Sequence, residues 1–224
     1  RWQAPVSGAF NVAGNWDPST IPGADDATVF DLVGSYGVTI DQPRSVASAT
    51  VHASQLDLLG SPLALLGSPS LLVGEGATLS LFNAVTAGNV RIGDVAGARS
   101  TVRVHPGASL LASRTTHVGD AAAGTLEVAG GAATVGTLLL GGPEDLGGPA
   151  VTIGSARAAG GFPRAPVDPG EGSGPLLKVD GQGNARGTFT ATHATLGPGG
   201  LGEAVIAGGA LATMTGEGMS AQQA

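Results

Sequence analysis

Few side chains in this sequence stand at spacings that could do chemistry. Asp25 and Asp26 form the densest acidic pair, just after a Pro-Gly turn. Adjacent carboxylates on a loop could join backbone oxygens around calcium, but calcium takes about six to eight oxygens and no further donors are in view. An Asp that steadies its own turn is the simpler account, so the pair is a metal candidate only in name. Asp94 and Asp120 each follow the glycine that closes a short β run. Stacked on neighbouring coils they would lie about 4.8 Å apart. Glycoside hydrolysis needs two carboxylates at least about 5 Å apart across a cleft; turn residues capping backbone N–H groups explain these two as well, and Gly141-Gly142 interrupts the row. Lys178, Asp180 and Arg186 are the only local set mixing acid with cation, the mixture a sugar-cleaving site requires. They too read as turn residues. No catalytic residue and no cofactor is assigned.

The four histidines, His52, His105, His117 and His193, stand alone in sequence. No HxH, HxxH or HExxH spacing occurs, which argues against zinc. His117 in THVG takes the register of Arg91 in VRIG, a position that alternates away from the core. No GxSxG nucleophile turn is present. Glycine pairs such as GEG and GQG carry little information among 39 glycines, and none opens a helix as a phosphate loop must. Thr188, Thr190 and Thr192 share one face of a strand. A stacked threonine array could bind an ice or crystal surface, yet one row on one coil is accounted for by β propensity. Trp2 and Trp16 are the candidate surface contacts: exposed, either would offer a sugar a stacking platform; buried, either would cap a core.

These residues belong to a chain of 224 residues that is 42% hydrophobic, 12% charged and 4% aromatic, with 39 Gly and 14 Pro. Its apolar content is too high for a disordered chain. The glycines fall between short runs of Val, Leu, Ile and Thr, the texture of an all-β protein rich in turns. The net charge of −7 includes a single lysine, Lys178, and scattered arginines. Nucleic-acid binding, which needs clustered cations, is disfavoured. No run reaches the ~20 apolar residues of a membrane helix, and no polybasic patch suits a membrane surface. With no cysteine, disulfides, thiol catalysis and thiolate zinc sites are excluded. The chain begins at Arg1 without an export signal, as a processed exported chain or a fragment would.

Residues 1–45 read as an N-terminal cap and first strands, residues 46–224 as a repeat array. The cap holds both tryptophans, Tyr36, Phe10 and Phe30, and repeat stacks need their terminal apolar faces covered. LDLLGSP at 56–62 is followed at once by LALLGSP at 63–69. The clearest repeat aligns Gly93, Gly119 and Gly141, each followed by a turn and then by Val102-Arg103-Val104, Leu126-Glu127-Val128 and Val151-Thr152-Ile153. The stretch at 194–210 repeats 116–132, placing Ala204 and Ile206 where Leu126 and Val128 stand. A Pro/Gly-rich insertion at 160–175 reads as an outer loop. A period of 22–26 residues fits one coil of a parallel β-helix, about three short strands with turns between. Helical spacing, the leucine-rich signature and the GGxGxD calcium repeat are all missing; a β-sandwich is the rival fold.

The front segment SGAFNVAGNWDPSTIPGADDATVFDLVGSYGVTID, with VRIGDVAGARSTVRV and HVGDAAAGTLEVAGGA, resembles bacterial autotransporter passengers and related surface β-solenoids. The resemblance implies a right-handed β-helix, exported to the outer cell surface of a bacterium and adhesive or structural. Residues 211–224 do not begin a membrane β-barrel, so a translocator would lie outside this chain.

The expected architecture is therefore an all-β, right-handed parallel β-helix with an aromatic-rich N-terminal cap. The expected function is a non-catalytic, extracellular module that presents contact surfaces to other surface proteins or polysaccharide, or self-associates into a filament, sheath or lattice through exposed strand edges. A polysaccharide lyase or hydrolase, or a carbohydrate-binding β-helix, is the alternative.

Overall fold

The computed structural model describes residues 1–52, 54–93, 99–119, 124–140, 150–154, 176–180, 188–196, 203–207, 211–214 and 219–220. It is a β-solenoid in which every pairing between strands is parallel. The chain opens with β1 (Gly8–Ala9), a 3-10 turn at Ala13–Asn15 and β2 (Ala27–Phe30). The first full coil is β3 (Gly34–Ile40), β4 (Arg44–Val46) and β5 (Ser48–His52). Next come β6 (Ser54–Gly60), β7 (Leu63–Leu65) and β8 (Leu71–Gly74), then β9 (Thr78–Leu81), β10 (Ala84–Ala87) and β11 (Val90–Ile92). In the following coils the second and third strands fuse. These are β12 (Ser100–Val104) with β13 (Ser109–Val118), and β14 (Gly124–Ala129) with β15 (Ala132–Leu140). The division at 45/46 falls inside β4, and the ladder runs through it unbroken.

Stacking these coils makes three faces. The first carries β1, β3, β6, β9, β12 and β14. The second carries β4, β7, β10 and the first halves of β13 and β15; the third carries β2, β5, β8, β11 and the second halves of those strands. A register shift between Ala112 and Thr115 marks the corner inside β13.

Alternation explains why these segments are strands. In a strand successive side chains point to opposite sides, and here the inward ones are aliphatic. Tyr36, Leu56, Leu79, Val102 and Leu126 stack in register and are all buried, as are Val38, Leu58, Leu81, Val104 and Val128 beside them. Tyr36 meets Leu56 at 20 residues, Leu56 meets Leu79 at 23, and Leu126 meets Val151 at 25. The expected column of Val102, Leu126 and Val151 is present, and it continues through Leu177 to Ala204. The repeated glycines turn the corners: Gly93 has φ 78° and Gly119 φ 85°, a left-handed backbone that suits glycine alone without strain.

Past β15 the faces fall out of step. On the first face β16 (Ala150–Gly154), β17 (Leu176–Asp180) and β19 (Glu203–Ala207) follow β14 in order. On the other two, β15 pairs directly with β18 (Thr188–Leu196), so Ala132 faces Thr188, 56 residues on. Two short strands, β20 (Leu211–Met214) and β21 (Met219–Ser220), pair with the two halves of β18. The coil begun by β16 thus sends no described strand to the second and third faces. The expected insertion at 160–175 lies outside the described residues.

The N-terminal end is built differently. Trp2 meets Trp16 edge-on at 5.0 Å, and Phe10 meets Trp16 at 4.9 Å. Trp2 and Trp16 also pack against Phe30, and Trp2 stacks on Tyr36. These rings cover the first rung of the stack.

Candidate functional site

The structure corrects the expectation that Trp2 and Trp16 offer surface contacts. Each is 1% exposed, and their indole N–H groups donate to Val6 O and Phe10 O. Neither ring has a face left for a sugar. The physical reason is that only β1 and β2 pair on the outer side of the first full coil, and large rings cover the inward apolar side chains there.

Asp25 and Asp26 are exposed in their turn. The Asp26 carboxylate accepts the Gly23 backbone N–H at 2.8 Å, which is turn stabilisation. Among the described residues no three His, Asp or Glu side chains converge as metal ligands. Asp94, Asp120 and Arg186 lie outside the described residues. Lys178 stands between Thr152 and Val205 on the first face, and Asp180 opposite Ala207, near the strand's end. Thr190 lies in register with Thr134 and Thr213, but Thr188 lies opposite Ala132, so the threonines make a single row. His117 is opposite Arg91, the register read from the sequence. His193 is opposite Thr137.

Two groupings were not legible in the sequence. The first lies on the outward side of the first face, where Asp57, Ser80, Arg103 and Glu127 follow one another in register. Arg103 Nε donates to Glu127 Oε2 at 2.6 Å. His105, beyond Arg103, stacks on Phe82 with ring centroids 4.0 Å apart. Partial burial holds His105 below its usual pKa, and the Arg103 charge adds to that; Glu127 and Asp57 oppose it. An imidazole beside a carboxylate could move protons. The Arg103 guanidinium, however, already occupies the Glu127 carboxylate, and the Asp57 and Glu127 backbones are three rungs apart, about 14 Å. That separation exceeds the roughly 5–9.5 Å between a glycosidase's two carboxyl groups.

The second grouping sits where the second face turns into the third. In most coils that corner is tight: Ala47 alone joins β4 to β5, and Gly88-Asn89 joins β10 to β11. Between β7 and β8 it is the longer Leu66–Ser70 segment, the second LGSP of the sequence. Its first LGSP closes β6, so one word is used at two successive corners. The longer corner stands out as a rib. Ser70, fully buried, fixes it: its hydroxyl donates to Gly67 O and accepts from Gly88 N at 2.9 Å and Asn89 N at 3.3 Å. Asn89 donates from Nδ2 to Ser68 Oγ at 2.9 Å and accepts from Thr115 N at 3.2 Å.

Two hollows flank this rib and share Ser68. One of about 400 Å³ lies towards the second face, between Leu66 and Leu111 with Thr86, Ala87 and Gly88 as floor and Arg114 at the rim. The other, of about 290 Å³, lies towards the third face, with Asn89, Val90 and Arg91 beneath and Thr115, His117 and Leu139 opposite the rib. They adjoin at Ser68 and together make a groove across the corner. Leu66 at 63% and Leu111 at 44% are among the few large exposed apolar side chains. Only the unequal length of neighbouring corners could have signalled this groove, and that requires knowing which glycines are corners.

No helix among the described residues is long and apolar enough to cross a membrane. No family model matches the chain, and no curated protein and no solved structure matches it either.

Proposed function

We propose that the chain is a non-catalytic, exported structural or adhesive module that presents contact surfaces at the bacterial cell surface, as its resemblance to autotransporter passengers implies. The observation that carries this is the set of outward rows. Side chains at equal heights on successive coils form continuous faces, such as Gln55, Thr78, Thr101 and Thr125 in register. Such a scaffold displays groups at fixed spacing without needing to move, and its parallel strands suit lateral or end-on assembly into a filament, sheath or lattice.

Surface labelling of intact cells producing the full-length protein, with sedimentation of the purified chain, tests this. Labelling together with binding to polymer or to itself supports it. Labelling confined to permeabilised cells overturns it. The rival reading, a polysaccharide lyase or hydrolase, has Asp57, Arg103, His105 and Glu127 as its best foothold. Release of sugar ends from a polysaccharide, abolished by Glu127→Gln, would replace the structural reading with the enzymatic one.

A further inference from the structure

We infer that the corner groove beside the Leu66–Ser70 rib binds a single extended chain of an acidic, carboxylate-bearing polysaccharide; this rests on the adhesive reading above and names its partner. The first ground is charge. The whole chain carries −7, yet among the described residues no acidic side chain lines either hollow, whereas Arg114, Arg91 and His117 do. Arg91 and His117 have partners of their own. Arg114 is exposed at the rim, and its guanidinium has no hydrogen bond or ion pair among the described residues. A guanidinium accepts a carboxylate in a two-point contact.

The second ground is shape. In the larger hollow the floor is one coil and the walls are the coils on either side, so the opening is about two rungs across, ~10 Å; the smaller hollow reaches one rung further, to Leu139 in β15. That width admits one extended chain. The rib is held in place before any ligand arrives, by Ser70 and Asn89. A preformed site spends little binding energy on ordering.

The third ground separates sugar from peptide. An extended peptide binds by adding its backbone to a free strand edge. Here β10 is paired on both sides, with β7 and β13, and β11 likewise, with β8 and β13. A peptide backbone would find no partners and would lose its own hydration. A sugar asks instead for side-chain hydroxyls and short aliphatic surfaces. Thr86 and Ser68 supply the first; Leu66 and Leu111 supply the second.

The test measures binding of fluorescent oligogalacturonate to the full chain at low salt, with neutral dextran and poly-glutamate beside it. Arg114→Gln removes the rim charge, and Thr86→Trp fills the floor. Both positions are exposed, and thermal melts report whether each variant is folded. Arg1→Gln, at the capped end and far from the groove, is the control. The expected result is oligogalacturonate binding, no dextran binding, affinity roughly tenfold weaker in Arg114→Gln, a comparable loss in Thr86→Trp, and no change in Arg1→Gln. Binding unmoved by both groove variants overturns the inference and leaves the adhesive reading intact. Tighter binding of poly-glutamate overturns it in favour of an acidic protein. Absence of binding to all three polymers overturns it too, and the surface-labelling and sedimentation results then decide separately whether the structural reading survives.

Discussion

The N-terminal end and the middle coils solve the same problem by opposite means. In the middle coils each apolar side chain is covered by its counterpart one coil away, so small residues suffice: Leu79 lies between Leu56 and Val102. Beyond the first full coil only β1 and β2 pair, and a knot of five rings, Trp2, Phe10, Trp16, Phe30 and Tyr36, does the covering. The stack relies on repetition and on backbone corners. The cap relies on side-chain volume without repetition. A solenoid's stability is a sum of neighbour terms, so the two regions should respond differently to the same size of injury.

The largest expected effect is in the cap. Trp16→Ala removes a buried ring and the hydrogen bond to Phe10 O, and should destabilise by about 3–5 kcal/mol. Hydrogen exchange should quicken first in β2 and β3, leaving β12 slow. Equal quickening along the chain would erase the distinction between cap and stack. Leu79→Ala should cost about 2–5 kcal/mol, with exchange quickening in β6, β9 and β12 instead. At a corner, Gly60 has φ +87°, and a Cβ there would stand 2.5 Å from Ile40 O. Gly60→Ala should therefore cost about 1–3 kcal/mol by denaturant titration; a neutral result would mean the corners tolerate backbone adjustment and the stack is softer than its ladders imply.

Smaller effects belong to the outward side. Breaking the Arg103–Glu127 pair with Glu127→Gln should shift stability by less than about 1 kcal/mol, since both side chains reach solvent, and high salt should mask the change. His105 has a folded pKa below its ordinary 6.5. The unfolded chain then binds the proton more readily, so the neutral imidazole's contribution is complete above pH 6.5 and is lost as pH falls from there through the folded value. His105→Asn should flatten that part of the stability profile. An unchanged slope would assign it to other groups.

The strands and their registers could be read in advance because inward positions repeat at a fixed interval with little else competing for them. VRV and LEV align in the structure as they do in the sequence, and His117 falls opposite Arg91 for the same reason. What could not be read depends on neighbours far away in sequence. A tryptophan's type does not say which surface it meets, and Trp16 is hidden only because Trp2, Phe10 and Phe30 close around it. Asp57 and Glu127 gain a common row only after four coils are stacked. The groove arises from a difference in length between adjacent corners, a quantity invisible until the corners are known.

That difference has a consequence for how such a chain can change. Ala47 and the Leu66–Ser70 rib occupy equivalent corners, yet Val46 still faces Leu65 and Ala49 still faces Leu71 beyond them. Length added at a corner is absorbed outside the ladder, so neighbouring coils need no matching insertion. Corners of the second and third faces are therefore sites where foreign segments could be grafted. A peptide spliced between Gly67 and Ser68 would be held clear of the surface on a rigid mount, leaving the register on either side as it is.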